Sequence, residues 1–262
     1  WYMGNGTVLG ALADFWAAIM NSNLGGGNHV AVLVEQQVIN WMKDALHFPA
    51  DAGGLLVSGG SMANLVALAV ARNERAGYDV RAEGIAPAQP PLVVYASSEV
   101  HSCNQKAVEL LGLGSHGLRK LPVLADFRID LRALEAAIAA DRAAGKRPIC
   151  VIGSAGTVNT GAVDDLNALA DLCTREGLWF HVDGAIGAIA MLAPGIRDLL
   201  AGLERADSVA LDLHKWLHVP FEAGCVLVRD RAAHRNTFAL TPEYLEPEVR
   251  GMAGTSFWYS DY

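Results

Sequence analysis

A recurring unit constrains this chain more than any other feature: a short apolar run ends in a small polar turn, and an amphipathic stretch follows. Apolar runs of strand length at 53–57, 92–96, 117–123, 148–153, 178–183, 208–211 and 224–229 predict a seven-stranded sheet. Helical spacing covers 11–20, 29–46, 61–75, 102–111, 131–144, 165–176 and, briefly, 196–203. Strands that alternate with helices are joined by crossovers, so the sheet is expected to be mostly parallel, with helices on both faces. The runs at 208–211 and 224–229 lie close enough in sequence to pair antiparallel. Asp130 is expected to cap the helix that follows it, and Pro49 to stop the helix before it. Residues 78–91 read as a loop, and the chain beyond Arg231 as irregular.

A length of 262 residues suffices for one large core. The net charge of −8 argues against a nucleic-acid or membrane-surface partner. No apolar run reaches the length of a membrane span, and no signal peptide is seen. Cys103, Cys150, Cys173 and Cys225 are widely spaced, three of them in apolar runs, so they read as reduced core thiols of a cytoplasmic protein rather than a disulfide frame or a metal site. The chain begins at Trp1 and ends at Tyr262 in an aromatic run, and it is expected to be part of a longer protein.

The residues with chemistry gather where strands are expected to end, which is where open α/β sheets bind ligands. Gly59-Gly60-Ser61 joins a strand to a helix start, an arrangement that lets free N–H groups face an anion and is equally an ordinary capped turn. It lacks the nucleoside-triphosphate and dinucleotide patterns. His101 follows the run at 92–96, and a small polar loop, 154–161, follows the run at 148–153. Asp183 ends a strongly apolar run, where a buried carboxylate needs a cation or several donors. Lys215 follows the run at 208–211 with apolar neighbours; a desolvated amine there suits a Schiff base, and the alternative is a surface lysine at a strand end. One ligand satisfies an anion cradle, a stacking ring, a buried acid and a buried amine together: pyridoxal 5'-phosphate.

The segments Ser98-Glu99-Val100-His101-Ser102, His181-Val182-Asp183-Gly184-Ala185, Ala206-Asp207-Ser208 and Asp212-Leu213-His214-Lys215-Trp216-Leu217 resemble, in order and spacing, the motifs of the group II pyridoxal-phosphate-dependent amino-acid decarboxylases. The resemblance implies the large domain of a fold type I transferase: an N-terminal helical segment over 1–50, the cofactor domain over 51–240, and over 241–262 the start of a connection to a C-terminal small domain. It implies that Lys215 carries the Schiff base and that Asp183 pairs with the pyridine nitrogen. His101 would stack on the ring and Ala185 would pack on the opposite face. Gly60, Ser61 and His214 would hold the phosphate, while Thr157 or Asn159 approaches the cofactor and Asp212 precedes the lysine turn. His101, Asp183 and Lys215 are the expected catalytic set.

The expected reaction is decarboxylation of an L-amino acid to its amine and carbon dioxide, in a homodimer with a shared active site. Trp1, Tyr2 and Met3 favour an aromatic over an acidic substrate. Gly184 and Ile186 stand where the family commonly has an alanine and an aromatic residue, which bears on substrate fit. Other readings on the same fold are an aldehyde synthase, a carbon–carbon lyase and a non-catalytic cofactor-binding homologue.

Overall fold

The computed structural model describes residues 3–22 and 30–240. Trp1 and Tyr2, most of the loop expected at 21–28 and the connection expected at 241–262 lie outside the described residues.

One seven-stranded sheet orders its strands β1-β7-β6-β5-β4-β2-β3. These are β1 (Gly53–Val57), β2 (Leu92–Ser97), β3 (Leu118–Leu121), β4 (Arg147–Ser154), β5 (Trp179–Asp183), β6 (Ser208–Asp212) and β7 (Gly224–Val228). Strands β3, β2, β4, β5 and β6 run parallel. Strand β7 is antiparallel to β6, as the short connection requires, and also to β1. Two reversals restore direction, so β1 points the same way as the parallel strands. Six carboxyl ends therefore open on one edge, together with the amino end of β7.

Apart from edge strand β3, the strands are buried on both faces, and two apolar cores result. One packs Ile39 of α2 (Val30–Ala45), Leu134 and Ile138 of α6 (Leu131–Ala143), and Leu166 and Leu169 of α7 (Leu166–Glu176) on Val151, Phe180 and Val209. The other packs Val66 and Val70 of α3 (Gly60–Arg75), Val108 of α5 (Ser102–Leu110) and Ala233 of α8 (Arg231–Phe238) on Val94, Ile152 and Val226. At about 25 cal/mol per Å² of apolar area, these faces supply the main driving force for folding. Helix α1 (Val8–Met20) buries none of its residues in this chain.

Local chemistry sets the element ends. Asp130 caps α6 as expected, accepting from the N–H groups of Arg132 and Ala133. Helix α2 stops earlier than Pro49 would make it: His47 takes a left-handed turn (φ 53°), and the Phe48 N–H bonds back to the Lys43 carbonyl. The loop at 78–91 contains one helical turn, α4 (Val80–Glu83), capped by Asp79. The chain beyond Arg231 is helix α8 rather than irregular, capped by Asp230. Its inward face carries His234 and Thr237, whose polarity hides the period. The helix expected at 196–203 is instead two 3-10 turns, Arg197–Leu200 and Leu203–Arg205. Gly202 separates them at φ 101°, and a Cβ there would lie 2.5 Å from the Asn167 amide. All four cysteines are free and buried. Among the described residues no helix is long and apolar enough to cross a membrane.

Candidate active site

The shared strand edge opens into a cavity of about 290 Å³ lined by Gly60, Ser61, His101, Thr157, Asp183, Ala185, Asp212, His214 and Lys215. Every residue singled out from the sequence as catalytic or cofactor-binding, except Asn159, thus meets in one place. Thr157 and Asn159 separate here: Asn159 lines only a second, more apolar cavity next door. Met3 is half exposed and lines neither cavity.

Lys215 is not a surface lysine. Its Nζ lies 2.7 Å from Oδ2 of Asp212, and the two side chains are 15% and 4% exposed. The other Asp212 oxygen, Oδ1, is buried and accepts no hydrogen bond, with Nε2 of His214 at 3.9 Å. His214 is anchored from behind, its Nδ1 2.7 Å from the Ala223 carbonyl and 3.0 Å from the Ala223 amide. Phe221 meets its ring edge-on at 4.6 Å between centroids.

Gly59 and Gly60 leave β1 and start α3. No side chain caps this helix start, so its first N–H groups are available to an anion. A Cβ on Gly60 would stand 2.8 Å from Asp212 Oδ2 and 3.1 Å from the Ala185 methyl. Gly224, opening β7, presses so closely that its own missing Cβ would lie 2.6 Å from the Gly59 Cα. The cradle is a place that only bare backbone fits.

His101 caps α5, its Nδ1 accepting from the Cys103 amide at 3.2 Å, which fixes the ring at the cavity wall. Cys103 stays a thiol, because burial pushes its pKa up to about 12. Thr157 sits on a loop held at its base by buried Asp164, which accepts from the N–H groups of Ser154 and Ile129. Burial raises the pKa of that carboxyl, and the two backbone donors oppose the rise.

Three residues that shape the site escaped the sequence reading. Asn104 donates to Oδ2 of Asp183 at 2.8 Å, while the Ala185 amide donates to Oδ1 at 3.3 Å. The carboxylate is therefore held by neutral donors, with no ion pair to it among the described residues. Asn64 and His181, fully buried, bond to each other at 2.8 Å beneath the cradle. Only the buried apolar register around Asn64 and Asn104 could have flagged them, since an amide among core residues needs partners.

Comparison with known proteins agrees with this geometry. The pyridoxal-dependent decarboxylase conserved domain matches residues 3–258. The chain is 41% identical to the aromatic-L-amino-acid decarboxylase of Bacillus atrophaeus over 255 residues, 96% of this chain and 51% of that protein. It is 36% identical to the L-2,4-diaminobutyrate decarboxylase of Rhizobium meliloti, over 83% of this chain and 42% of that protein. Among solved structures, mouse CSAD superposes with a TM-score of 0.88 at 28% identity, covering 99% of this chain and 55% of that one. Oryza sativa TDC with PLP and tryptamine superposes at 0.84 with 30% identity, over 94% and 52%. The chain spans about half the length of the relatives it matches. With one conserved domain running along nearly all of it and a fold shared with solved decarboxylases, the chain belongs to the pyridoxal-dependent decarboxylase family.

Proposed function

We propose that the complete protein removes the α-carboxylate of an L-amino acid, releasing the amine and carbon dioxide, with pyridoxal phosphate held in this cavity. The observation that carries the reading is the Lys215 amine, 2.7 Å from Asp212 in a cavity that also holds Asp183 and the glycine cradle. The residues fit the cofactor: uncapped N–H groups and a Cβ-free floor for the phosphate, and a carboxylate facing the same space for the ring nitrogen. When bound, pyridoxal phosphate supplies a ring that accepts the electron pair left as the carboxylate departs.

The chain's own residues do the rest. Lys215 would anchor the cofactor through its amine, with Asp212 Oδ2 as the adjacent carboxylate that takes or returns a proton at Nζ. Asp183 would keep the ring nitrogen protonated. His101 and Ala185 would bound the ring's two faces, while Gly60, Ser61 and His214 would bind the phosphate. Thr157 would close the side. Residues 51–240 form the cofactor unit in this reading, 1–50 lead into it, and 241–262 lead away. The active site is shared across a homodimer in the cytoplasm.

An aromatic substrate suits the walls better than an acidic one. Glu99, Asp183, Asp212 and Glu222 line the cavity against the single lysine, so an acidic side chain meets like charge. The neighbouring cavity, about 340 Å³, shares Gly156, Thr157, Val158 and Ile186 with it and adds Leu199 and Trp216. A second reading, a cationic side chain, draws support from Glu99 and Glu222. The test is carbon dioxide release by the full-length protein with pyridoxal phosphate across aromatic, diamino and acidic amino acids, with aldehyde and peroxide measured alongside. Release greatest with an aromatic substrate is the expected result. Aldehyde and peroxide in place of amine would make it an aldehyde synthase, and no product from any substrate would leave a cofactor-binding homologue.

A further inference from the structure

Beneath the cradle runs a line of hydrogen bonds among fully buried groups. Trp179 Nε1 lies 2.8 Å from Ser208 Oγ, which lies 2.9 Å from His181 Nδ1. His181 Nε2 lies 2.8 Å from Asn64 Oδ1, and Asn64 Nδ2 lies 2.7 Å from the Gly60 carbonyl. A carbonyl only accepts, so the Gly60 end fixes the first two links. Asn64 must turn its amide nitrogen to Gly60 and its oxygen to His181, and His181 must carry a proton on Nε2. Its Nδ1 lies near both Ser208 Oγ and, at 3.2 Å, the Ser208 carbonyl; in the neutral ring Nδ1 accepts from the Ser208 hydroxyl, which accepts in turn from Trp179.

We infer that this one-way line is a positioning device for the anion cradle, with His181 as its central residue in the neutral, Nε2-protonated form. The line ends on the carbonyl of Gly60, the residue whose missing Cβ makes room for Asp212. It begins on β5 and β6, the strands that present Asp183 and Asp212 to the cavity. It thus ties the helix start that would receive the phosphate to the strands that hold the acid and the lysine's partner. Burial supports the neutral ring, pushing the His181 pKa down to about 4. Asn64 also lines the cavity, whereas His181 does not. In this role both act through the Gly60 backbone.

The inference rests on the reading of this cavity as a pyridoxal phosphate site, and the test separates the two. The complete gene product would be labelled with 15N-histidine, and the tautomer of His181 read by long-range nitrogen–proton correlation from pH 6 to pH 8. An Nε2–H ring is expected, and an Nδ1–H or charged ring would overturn the inference without any variant. Asn64→Leu, which removes the links to Gly60 and to His181 together, would then be titrated with pyridoxal phosphate, inorganic phosphate and phosphate-free pyridoxal. Leaving a buried donor unpaired costs about 1–3 kcal/mol, so a loss of roughly tenfold or more is expected for the two phosphate-bearing probes, with pyridoxal within about twofold. Unchanged affinities, or an equal fall for all three, would overturn the positioning role. If the wild-type protein bound no pyridoxal phosphate, the cofactor reading would fail, and the inference with it.

Discussion

Asp212 and Lys215 face each other across 2.7 Å at the end of β6, both largely shut away from water. A buried pair of this kind is costly to break, because the remaining charge loses its compensation. Lys215→Ala is expected to abolish turnover, and borohydride reduction of that variant should leave no pyridoxyl mass on the chain. Asp212→Asn should keep the adduct on Lys215 while turnover falls by about tenfold or more, as expected when a charge-assisted hydrogen bond is lost. A pyridoxyl adduct mapped to another lysine in the wild type would remove Lys215 from the mechanism.

Asn104 holds Asp183 by a single 2.8 Å hydrogen bond, and its own Oδ1 is buried without a partner. Asn104→Leu is expected to lower the affinity for pyridoxal phosphate by about tenfold, and Asp183→Asn by more, because the carboxylate itself is then gone. Fluorescence titration of the cofactor measures both. An Asn104→Leu protein that binds as tightly as the wild type would show that Ala185 alone orients the acid.

Gly60→Ala places a methyl 2.8 Å from Asp212 Oδ2, under the contact any real Cβ makes. Either the cradle or the carboxylate must move. The expected outcome is loss of cofactor retention on gel filtration, with far-ultraviolet circular dichroism unchanged. Gly59→Ala, whose nearest neighbour would be the His214 Cε1 at 3.3 Å, should be milder.

Two histidines set an acid limit on stability. Burial lowers the pKa of His181 and of His234 to about 4, from an ordinary 6.5. Both bind a proton more readily unfolded than folded, so stability is complete above about pH 6.5 and falls as the pH drops toward 4. Each contributes up to roughly 3 kcal/mol across that window. Urea melts at pH 7.5 and pH 5 should show a falling midpoint, and His234→Gln should flatten part of the slope. A midpoint that rises on acidification would contradict the buried neutral state of both rings.

The sheet was legible because its strands are buried on both faces and read as unbroken apolar runs. Asp183, which ends one of those runs at its carboxyl end, and Lys215, which follows another, announced the site for the same reason. Helix α8 was not legible, because His234 and Thr237 occupy its inward face and leave no apolar stripe. Asn64, Asn104 and His181 were not legible as site-shaping residues either. The bonds that tie Asn104 to Asp183 and Asn64 to His181 span 79 and 117 residues of chain, and nothing in local sequence joins those pairs. The end of α2 was placed to within one residue, but its cause was read as Pro49, because proline is visible in a sequence and the left-handed turn at His47 is not.

Strand β7 lies between β1 and β6, pairing Leu55 with Val226. Those partners are separated by roughly 170 residues, a closure whose cost in chain entropy is met only when both strands exist. As the chain leaves the ribosome, β1 and the cradle that follows it wait unpaired at the sheet's edge until nearly all of the described chain has been made. The Gly59-Gly60 turn is thus synthesised well before the strand that sets it in place, and in the proposed reading cofactor loading is tied to completion of the sheet.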